Sequence, residues 1–298
     1  MRRGEGVVIR IIPRLDIKGP NLVKGIHLEG LRVLGRPEVF ARTYYQTGAD
    51  ELLFMDAVAS LYGRNSLLDV VERTARETFI PLTVGGGLRS LDDIAAVLRA
   101  GADKVAINTA AIGNPDLIEA AAERFGSSTI VVHIDAKRSA GGRWIAWTEN
   151  GREPSTLDAV DWARRAADLG AGEILITSID REGTGQGYDL DLTRAIADAV
   201  PLPVIACGGA GTGDHVRVAI ADAHADAVCV ASMLHYGVAQ RLLERGFQFE
   251  GAGQFKVLAE KRDFGRVQPS DIPTLKRHLI DAGIACRIAD SAEPADAR

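Results

Sequence analysis

Cysteine is scarce in this chain, and its scarcity removes whole classes of architecture. Cys207, Cys229 and Cys286 are the three present among 298 residues, and their spacing is neither that of a disulfide framework nor that of a metal cluster. Two of them fall in apolar, strand-like runs, which suits a reducing cytoplasm. No apolar run approaches the ~20 residues needed to span a bilayer. The opening Met-Arg-Arg-Gly-Glu-Gly leads into a strand-length run rather than a signal-peptide core. Blocks of Lys or Arg are missing too, and the formal net charge of −5 argues against nucleic acid or an anionic membrane as the main partner. A soluble, cytoplasmic enzyme domain with no metal and no cofactor is the expectation. The length would hold two average domains, but a single α/β barrel commonly reaches about 250 residues.

What the chain does have is a repeat. Ile-Pro-Leu-Thr-Val-Gly-Gly-Gly, Ile80 to Gly87, returns half a chain later as Leu-Pro-Val-Ile-Ala-Cys-Gly-Gly, Leu202 to Gly209. Ala-Asp-Lys-Val-Ala-Ile-Asn-Thr, Ala102 to Thr109, is echoed by Ala-Asp-Ala-Val-Cys-Val-Ala-Ser, Ala225 to Ser232. Arg10 to Asp16 and Ile130 to Asp135 are both apolar runs that end in Asp. Two fused half-units are implied, each with one glycine turn and one strand-end carboxylate.

Eight strand-length runs alternate with helical patterns: Val7 to Asp16, Glu51 to Asp56, Leu82 to Gly85, Lys104 to Asn108, Thr129 to Asp135, Glu173 to Ser178, Val204 to Gly208 and Ala227 to Ser232. Amphipathic stretches such as Leu67 to Thr78, Leu91 to Ala100, Pro115 to Phe125, Leu157 to Leu169 and Asp191 to Ala199 lie between them. Continuous Val, Ile and Leu content marks strands covered on both faces, as parallel strands are. The pattern predicts a single (β/α)8 TIM barrel of residues 1–287, with reactive groups at the C-terminal strand ends; an open doubly wound sheet is the rival. Two segments interrupt it. Arg143 to Thr148 alternates as a small hairpin after the fifth strand. Residues 236–269, with Phe247, Phe249, Phe255 and Phe264, read as an elaboration near a phosphate end, either a lid or a subunit contact. Residues 288–298 read as a solvated, flexible C-terminal tail.

Gly85, Gly86 and Gly87 let backbone amides approach an anion, a helix starting near Ser90 would aim its positive end there, and Asn108 and Thr109 can add donors. Gly208, Gly209 and Gly211, with Ala231, Ser232 and a helix near Asp214, form the matching site. A lone glycine run is as often a tight turn as a ligand loop; its recurrence with a polar neighbour favours phosphate. Asp16 and Asp135 would face one another across the mouth as an acid/base pair, with one pKa raised by partial desolvation. The bland alternative is that they cap loops or pair with Lys18 or Lys137. Lys24, in the glycine-containing loop after the first strand, is either a mobile substrate contact or a solvated lysine.

Several tracts together carry a family resemblance: Ile-Ile-Pro-Arg-Leu-Asp-Ile-Lys (11–18), Val-Lys-Gly (23–25), Thr-Val-Gly-Gly-Gly (83–87), Ala-Asp-Lys-Val-Ala-Ile-Asn-Thr-Ala-Ala (102–111), Ile-Asp-Ala-Lys-Arg (134–138), Gly-Ala-Gly-Glu-Ile-Leu-Ile-Thr-Ser-Ile-Asp-Arg-Glu-Gly-Thr (170–184) and Gly-Gly-Ala-Gly (208–211). The chain resembles the cyclase subunit of imidazole glycerol phosphate synthase, HisF, from about Arg10 to His235 and again from Asp271 to Arg287. The resemblance implies that ammonia and a bis-phosphorylated ribulosyl aminoimidazole intermediate give imidazole glycerol phosphate and an aminoimidazole carboxamide ribotide. It implies acid/base roles for Asp16 and Asp135 and a catalytic-loop role for Lys24. One substrate phosphate would lie at Gly86, Gly87, Asn108 and Thr109, the other at Gly183, Gly208, Gly209, Ala231 and Ser232.

No cysteine here sits in a recognisable nucleophile turn, so ammonia must come from a glutaminase partner. Arg10, Glu51, Lys104 and Glu173 begin strands at the opposite barrel face. By themselves they read as rim ion pairs, and through the resemblance as the gate where a HisH-like glutaminase docks. The chain also departs from the family pattern. Arg14 stands for Cys, Gly19-Pro20-Asn21 for an Asp-Gly-Arg stretch, Glu182 for Asp, Cys207 for Ser and His133 for a small residue. Two other readings stay open: a paralogue channelling ammonia to another amidation, such as surface-sugar modification, and a silent scaffold that activates a glutaminase, against which Asp16 and Asp135 argue.

Overall fold

In the computed structural model, residues 8–58, 67–246 and 265–288 are described. Strand β1 (Arg10–Lys18) runs into the hairpin β2 (Asn21–Ile26) and β3 (Glu29–Gly35), followed by helix α1 (Pro37–Gln46) and β4 (Leu52–Asp56). Then come α2 (Leu68–Ala75), β5 (Leu82–Gly85), α3 (Leu91–Arg99), β6 (Lys104–Ile107), α4 (Thr109–Gly113) and α5 (Asp116–Phe125). The second half repeats the plan with β7 (Ile130–Arg138), the hairpin β8 (Trp144–Thr148) and β9 (Glu153–Asp158), α6 (Ala159–Asp168), β10 (Glu173–Ser178) and α7 (Leu190–Ala199). It closes with β11 (Val204–Cys207), α8 (Gly213–Ala221), β12 (Ala227–Val230), α9 (Ser232–Glu244) and α10 (Ile272–Asp281).

β1, β4, β5, β6, β7, β10, β11 and β12 pair in parallel in that order. β12 returns to β1 with Ile11 opposite Val228, so the sheet closes into the expected (β/α)8 barrel. Strand alternation sorts the side chains. Ile11, Leu15 and Ile17 point out to the helices and join the larger apolar core, while Ile12 joins a second core inside the barrel with Leu53, Leu175 and Ile205. Each such fully buried aliphatic side chain contributes about 1.5–3 kcal/mol. The same alternation puts Arg10, Arg14 and Asp16 on the inner face.

The twofold repeat goes deeper than the motifs. β1 and β7 are each nine residues long and each runs past the barrel into an antiparallel hairpin. Asn108 and Ala231, which precede α4 and α9, share nearly one backbone conformation, φ −128° and ψ −83° against φ −117° and ψ −84°. Ser90 and Thr212 both cap the helix after a glycine turn, Ser90 through a complete capping box.

Three expectations need correction. The first strand starts at Arg10 and continues to Lys18 rather than ending at Asp16, because Asp16, Ile17 and Lys18 pair with β2. The predicted loop around Lys24 is itself a strand: Lys18 pairs with Asn21, leaving Gly19, at φ +59°, and Pro20 as a two-residue turn. The hairpin at Arg143 to Thr148 is larger than read, with β9 as its second strand. Of the expected insertion, residues up to Glu244 belong to α9. Its far end reaches the second glycine turn, where Gln268 N–H donates to Gly211 O at 2.8 Å. The four phenylalanines, and the tail beyond Ile288, lie outside the described residues. Among the described residues no helix is long and apolar enough to cross a membrane.

Candidate active site

At the N-terminal end of the barrel four charged side chains close a ring. Arg10 Nη1 is 2.7 Å from Glu51 Oε2 and its Nη2 is 3.0 Å from Glu173 Oε1. Lys104 Nζ is 3.0 Å from Glu51 Oε2 and 3.3 Å from Glu173 Oε2. Every cation touches both anions, and Thr83 Oγ1 donates to Glu51 Oε1 at 2.6 Å. Burial weakens the Arg10 charge, but Glu173 and Glu51 outweigh it and hold its pKa above the ordinary arginine value. The four are thus more than scattered rim pairs.

At the C-terminal end a cavity of about 320 Å³ opens between the ends of β4, β5, β6 and β7. Gly86, Gly87, Asn108, Thr109, His133 and Asp135 line it, with Asp56 and Glu149 also at its wall. Gly86 is required: its φ is +97°, and a Cβ there would stand 2.6 Å from Asp56 O. Asn108 does not reach toward the glycines as expected. Its Nδ2 donates to Asp135 Oδ2 at 3.0 Å and to Trp147 O at 3.1 Å. Thr109 Oγ1 accepts from Glu149 N–H at 3.0 Å, which leaves its own hydroxyl hydrogen free to donate.

Asp135 is 1 % exposed. Burial alone would raise its pKa, the shift expected of one member of the pair. His133, Arg14 and the Asn108 hydrogen bond reverse the sign and hold it below the ordinary aspartate value. His133 Nε2 is 3.1 Å from Asp135 Oδ1 and 3.0 Å from Thr177 Oγ1. Arg14 Nη1 donates to that same Thr177 oxygen at 3.1 Å and to Cys207 Sγ at 3.3 Å, while its Nε donates to Asp16 Oδ1 at 2.9 Å. The two carboxylates are therefore joined through the barrel in the sequence Asp135, His133, Thr177, Arg14, Asp16. Asp135 lines the cavity, whereas Asp16 lies beside β2, in register with Val23.

Lys24 is 5 % exposed and ion-paired with Glu182, so it is neither the mobile nor the solvated lysine of the two alternatives. Its hairpin is pinned to the loop after β10. His27 N–H donates to Glu182 O at 2.8 Å, and His27 Nδ1 lies 2.8 Å from Ile179 O. Burial opposes both charges, yet Lys24 is held above the ordinary lysine value, chiefly by Glu182, and Glu182 below the ordinary glutamate value, chiefly by Lys24 and then Arg14.

The second glycine turn has little room. Glu182, Gly183, Gly208, Gly209, Ala231 and Ser232 surround a space of about 10 Å³. A Cβ on Gly209, at φ +105°, would stand 2.1 Å from Gly187 O, and one on Gly183 2.5 Å from Gly25 O of the hairpin. Cys207 and Cys229 also line this space. The Cys207 thiol is lowered to about 7 by a hydrogen bond with Cys229 and by Arg14, against the effect of burial. Among the described residues no His, Cys, Asp and Glu cluster could hold a metal ion.

Arg14, Glu182, Cys207 and His133, four departures from the resemblance, thus belong to one charge-coupled group rather than to separate accidents. Arg14 ties them together, directly to Cys207, through Thr177 to His133 and by its charge to Glu182; Thr177 was not singled out in the sequence. Strand alternation from Glu173 was the signal that could have found it.

A family model described as a histidine biosynthesis protein matches residues 10–240. The chain is 60% identical over 189 residues to the imidazole glycerol phosphate synthase subunit HisF of Legionella pneumophila, covering 63% of this chain and 89% of that protein. It is 55% identical over 229 residues to the subunit of the same name from Myxococcus xanthus, covering 77% of this chain and 90% of that protein.

Proposed function

This chain belongs to the histidine biosynthesis family, on its HisF branch, and from that premise we propose that it works as the cyclase subunit of imidazole glycerol phosphate synthase. Ammonia and a bis-phosphorylated ribulosyl aminoimidazole intermediate are its substrates, and imidazole glycerol phosphate and an aminoimidazole carboxamide ribotide its products. Relatives this similar favour neither a paralogue serving another amidation nor a silent scaffold. The observation that carries the assignment of the site is the shared face: two glycine turns at one end of the barrel, with Asp135 and Asp16 held between them.

One substrate phosphate sits at Gly86, Gly87 and the Thr109 hydroxyl, helped by the amino end of α3. The other sits at Gly183, Gly208, Gly209, Ala231 and Ser232. Because the second space is small, that end is admitted by a shift of the hairpin that Lys24 anchors. Asp135, held ionised by His133, Arg14 and Asn108, accepts a proton from the substrate. Asp16, steadied by Arg14, acts from the other side.

Ammonia enters through the ring of Arg10, Glu51, Lys104 and Glu173, whose charges are paired with one another and sum to zero. A glutaminase partner docks on that face. Phe79, 77% exposed and edge-on to Tyr45 at 6.0 Å, stands just before β5 on the same face and supplies an apolar anchor for it. Incubating the purified protein with the intermediate and ammonium salts tests the whole assignment. Formation of imidazole glycerol phosphate is the expected result, and its absence with folded protein would end the proposal.

A further inference from the structure

The buried cluster at the top of the barrel does not balance its charge with the groups the reaction calls for. Asp16, Asp135 and Glu182 bring three carboxylates, and Arg14 and Lys24 bring two cations, all within a few per cent of full burial. One negative charge is left over, and an uncompensated buried charge is strongly destabilising. Asp56, Glu149 and Arg89 also line the cavity wall that His133 faces. His133 is a further polar side chain in contact with Asp135, its Nε2 3.1 Å from Oδ1.

The geometry favours a proton on the nitrogen that faces the carboxylate. At 3.1 Å from Asp135 Oδ1 and 3.0 Å from Thr177 Oγ1, an unprotonated Nε2 would set lone pair against lone pair with the carboxylate, whereas N–H is attracted to both oxygens. Thr177 is in turn fixed by Arg14 Nη1 at 3.1 Å, so the ring cannot swing away without breaking that chain. Asn108 holds the other carboxylate oxygen at 3.0 Å. His133 and Asn108 together leave Asp135 one orientation, and both line the same cavity.

We propose that His133 is a positioning residue for the reaction: held between Thr177 and Asp135, with Nε2 turned to Asp135 Oδ1, it orients the Asp135 carboxylate toward the substrate. The proposal rests on Asp135 being the base of the cyclase reaction. It accounts for the reversed sign of the shift at Asp135, where burial is overridden first by His133. It also makes His133 part of the same group as Arg14, Glu182 and Cys207, so that the site works as a connected set.

The test is the pH profile of kcat with ammonium salts at constant free ammonia, for the unaltered protein and for His133→Gln, His133→Ala and Asp135→Asn. His133→Gln keeps a donor toward Thr177 but cannot carry charge. The expected result is an acidic limb displaced upward by about one pH unit or more in both His133 variants, the size of an opposite-charge effect, with KM for the phosphorylated substrate unchanged within about twofold, equivalent to ~0.4 kcal/mol. A His133→Gln profile that superimposes on the parent while Asp135→Asn is inactive would overturn the role of His133 alone. Turnover persisting in Asp135→Asn would instead remove the base assignment beneath it. If His133→Ala does not fold, His133→Gln decides.

Discussion

Lys24, on the first hairpin, and Glu182, beyond β10, form an ion pair in which both side chains are 5 % exposed or less. Removing one partner from such a pair leaves a buried charge alone, which costs about 3–5 kcal/mol. Glu182→Gln should therefore lower unfolding free energy by roughly 3 kcal/mol in denaturant titrations, while the double variant Lys24→Met with Glu182→Leu should recover most of that loss and remain inactive. Full activity in the double variant would show that the hairpin needs no charge to serve the reaction.

The same pair fixes a pH window. Glu182 has a depressed pKa, so its contribution is present above the ordinary glutamate range and is lost as pH falls through its lower folded value. Lys24 has a raised pKa, so its contribution is complete below the ordinary lysine range and is lost as pH rises through its higher folded value. Thermal melts should show a broad plateau between those limits, and the Glu182→Gln variant should lose the acid-side dependence first. An acid limb identical in parent and variant would contradict this.

At the opposite face, Lys104 bridges Glu51 and Glu173. Lys104→Ala should reduce glutamine-dependent turnover in the complex by roughly tenfold, about 1.4 kcal/mol, and leave ammonium-dependent turnover nearly unchanged. Equal losses with both nitrogen sources would argue against passage through the ring.

Gly87, at φ +72° on the wall of the open cavity, offers a direct probe of anion binding. Gly87→Asp adds a like charge to a backbone conformation that costs an L-residue about 1–2 kcal/mol. Calorimetry should show substrate affinity weakened by roughly tenfold or more. Unaltered affinity would take the phosphate away from this turn.

Phe79 tests the docking face. Phe79→Arg should weaken association with the glutaminase by about 2 kcal/mol, as loss of an aromatic anchor does, with ammonium-dependent activity intact. Unchanged association in a titration would place the partner elsewhere.

Much of this was legible from residue order because period-two and glycine signals are local. The eight apolar runs became the eight barrel strands, and the strand-start residues Arg10, Glu51, Lys104 and Glu173 met as one ring. What failed was decided by contacts between distant segments. The Gly19 and Pro20 turn looks like loop sequence until β2 is seen pairing with β1, and only then does Lys24 become a buried strand residue. α1 carries a weaker start signal, because its capping residue, Arg36, makes no side-chain cap. The chain from Asp135 to Asp16 draws on β7, β10 and β1, and nothing local announces that three strands share one buried polar interior.

The two glycine turns match in backbone yet differ about thirtyfold in free space, roughly 320 Å³ against 10 Å³. If the proposed phosphate sites hold, a molecule with an anion at either tip should bind in order, the Gly86 end first and the Gly209 end after rearrangement. Small monophosphates, which need only one berth, should crowd into the former and ignore the latter, so a symmetric scaffold ends up reading the direction of an elongated guest.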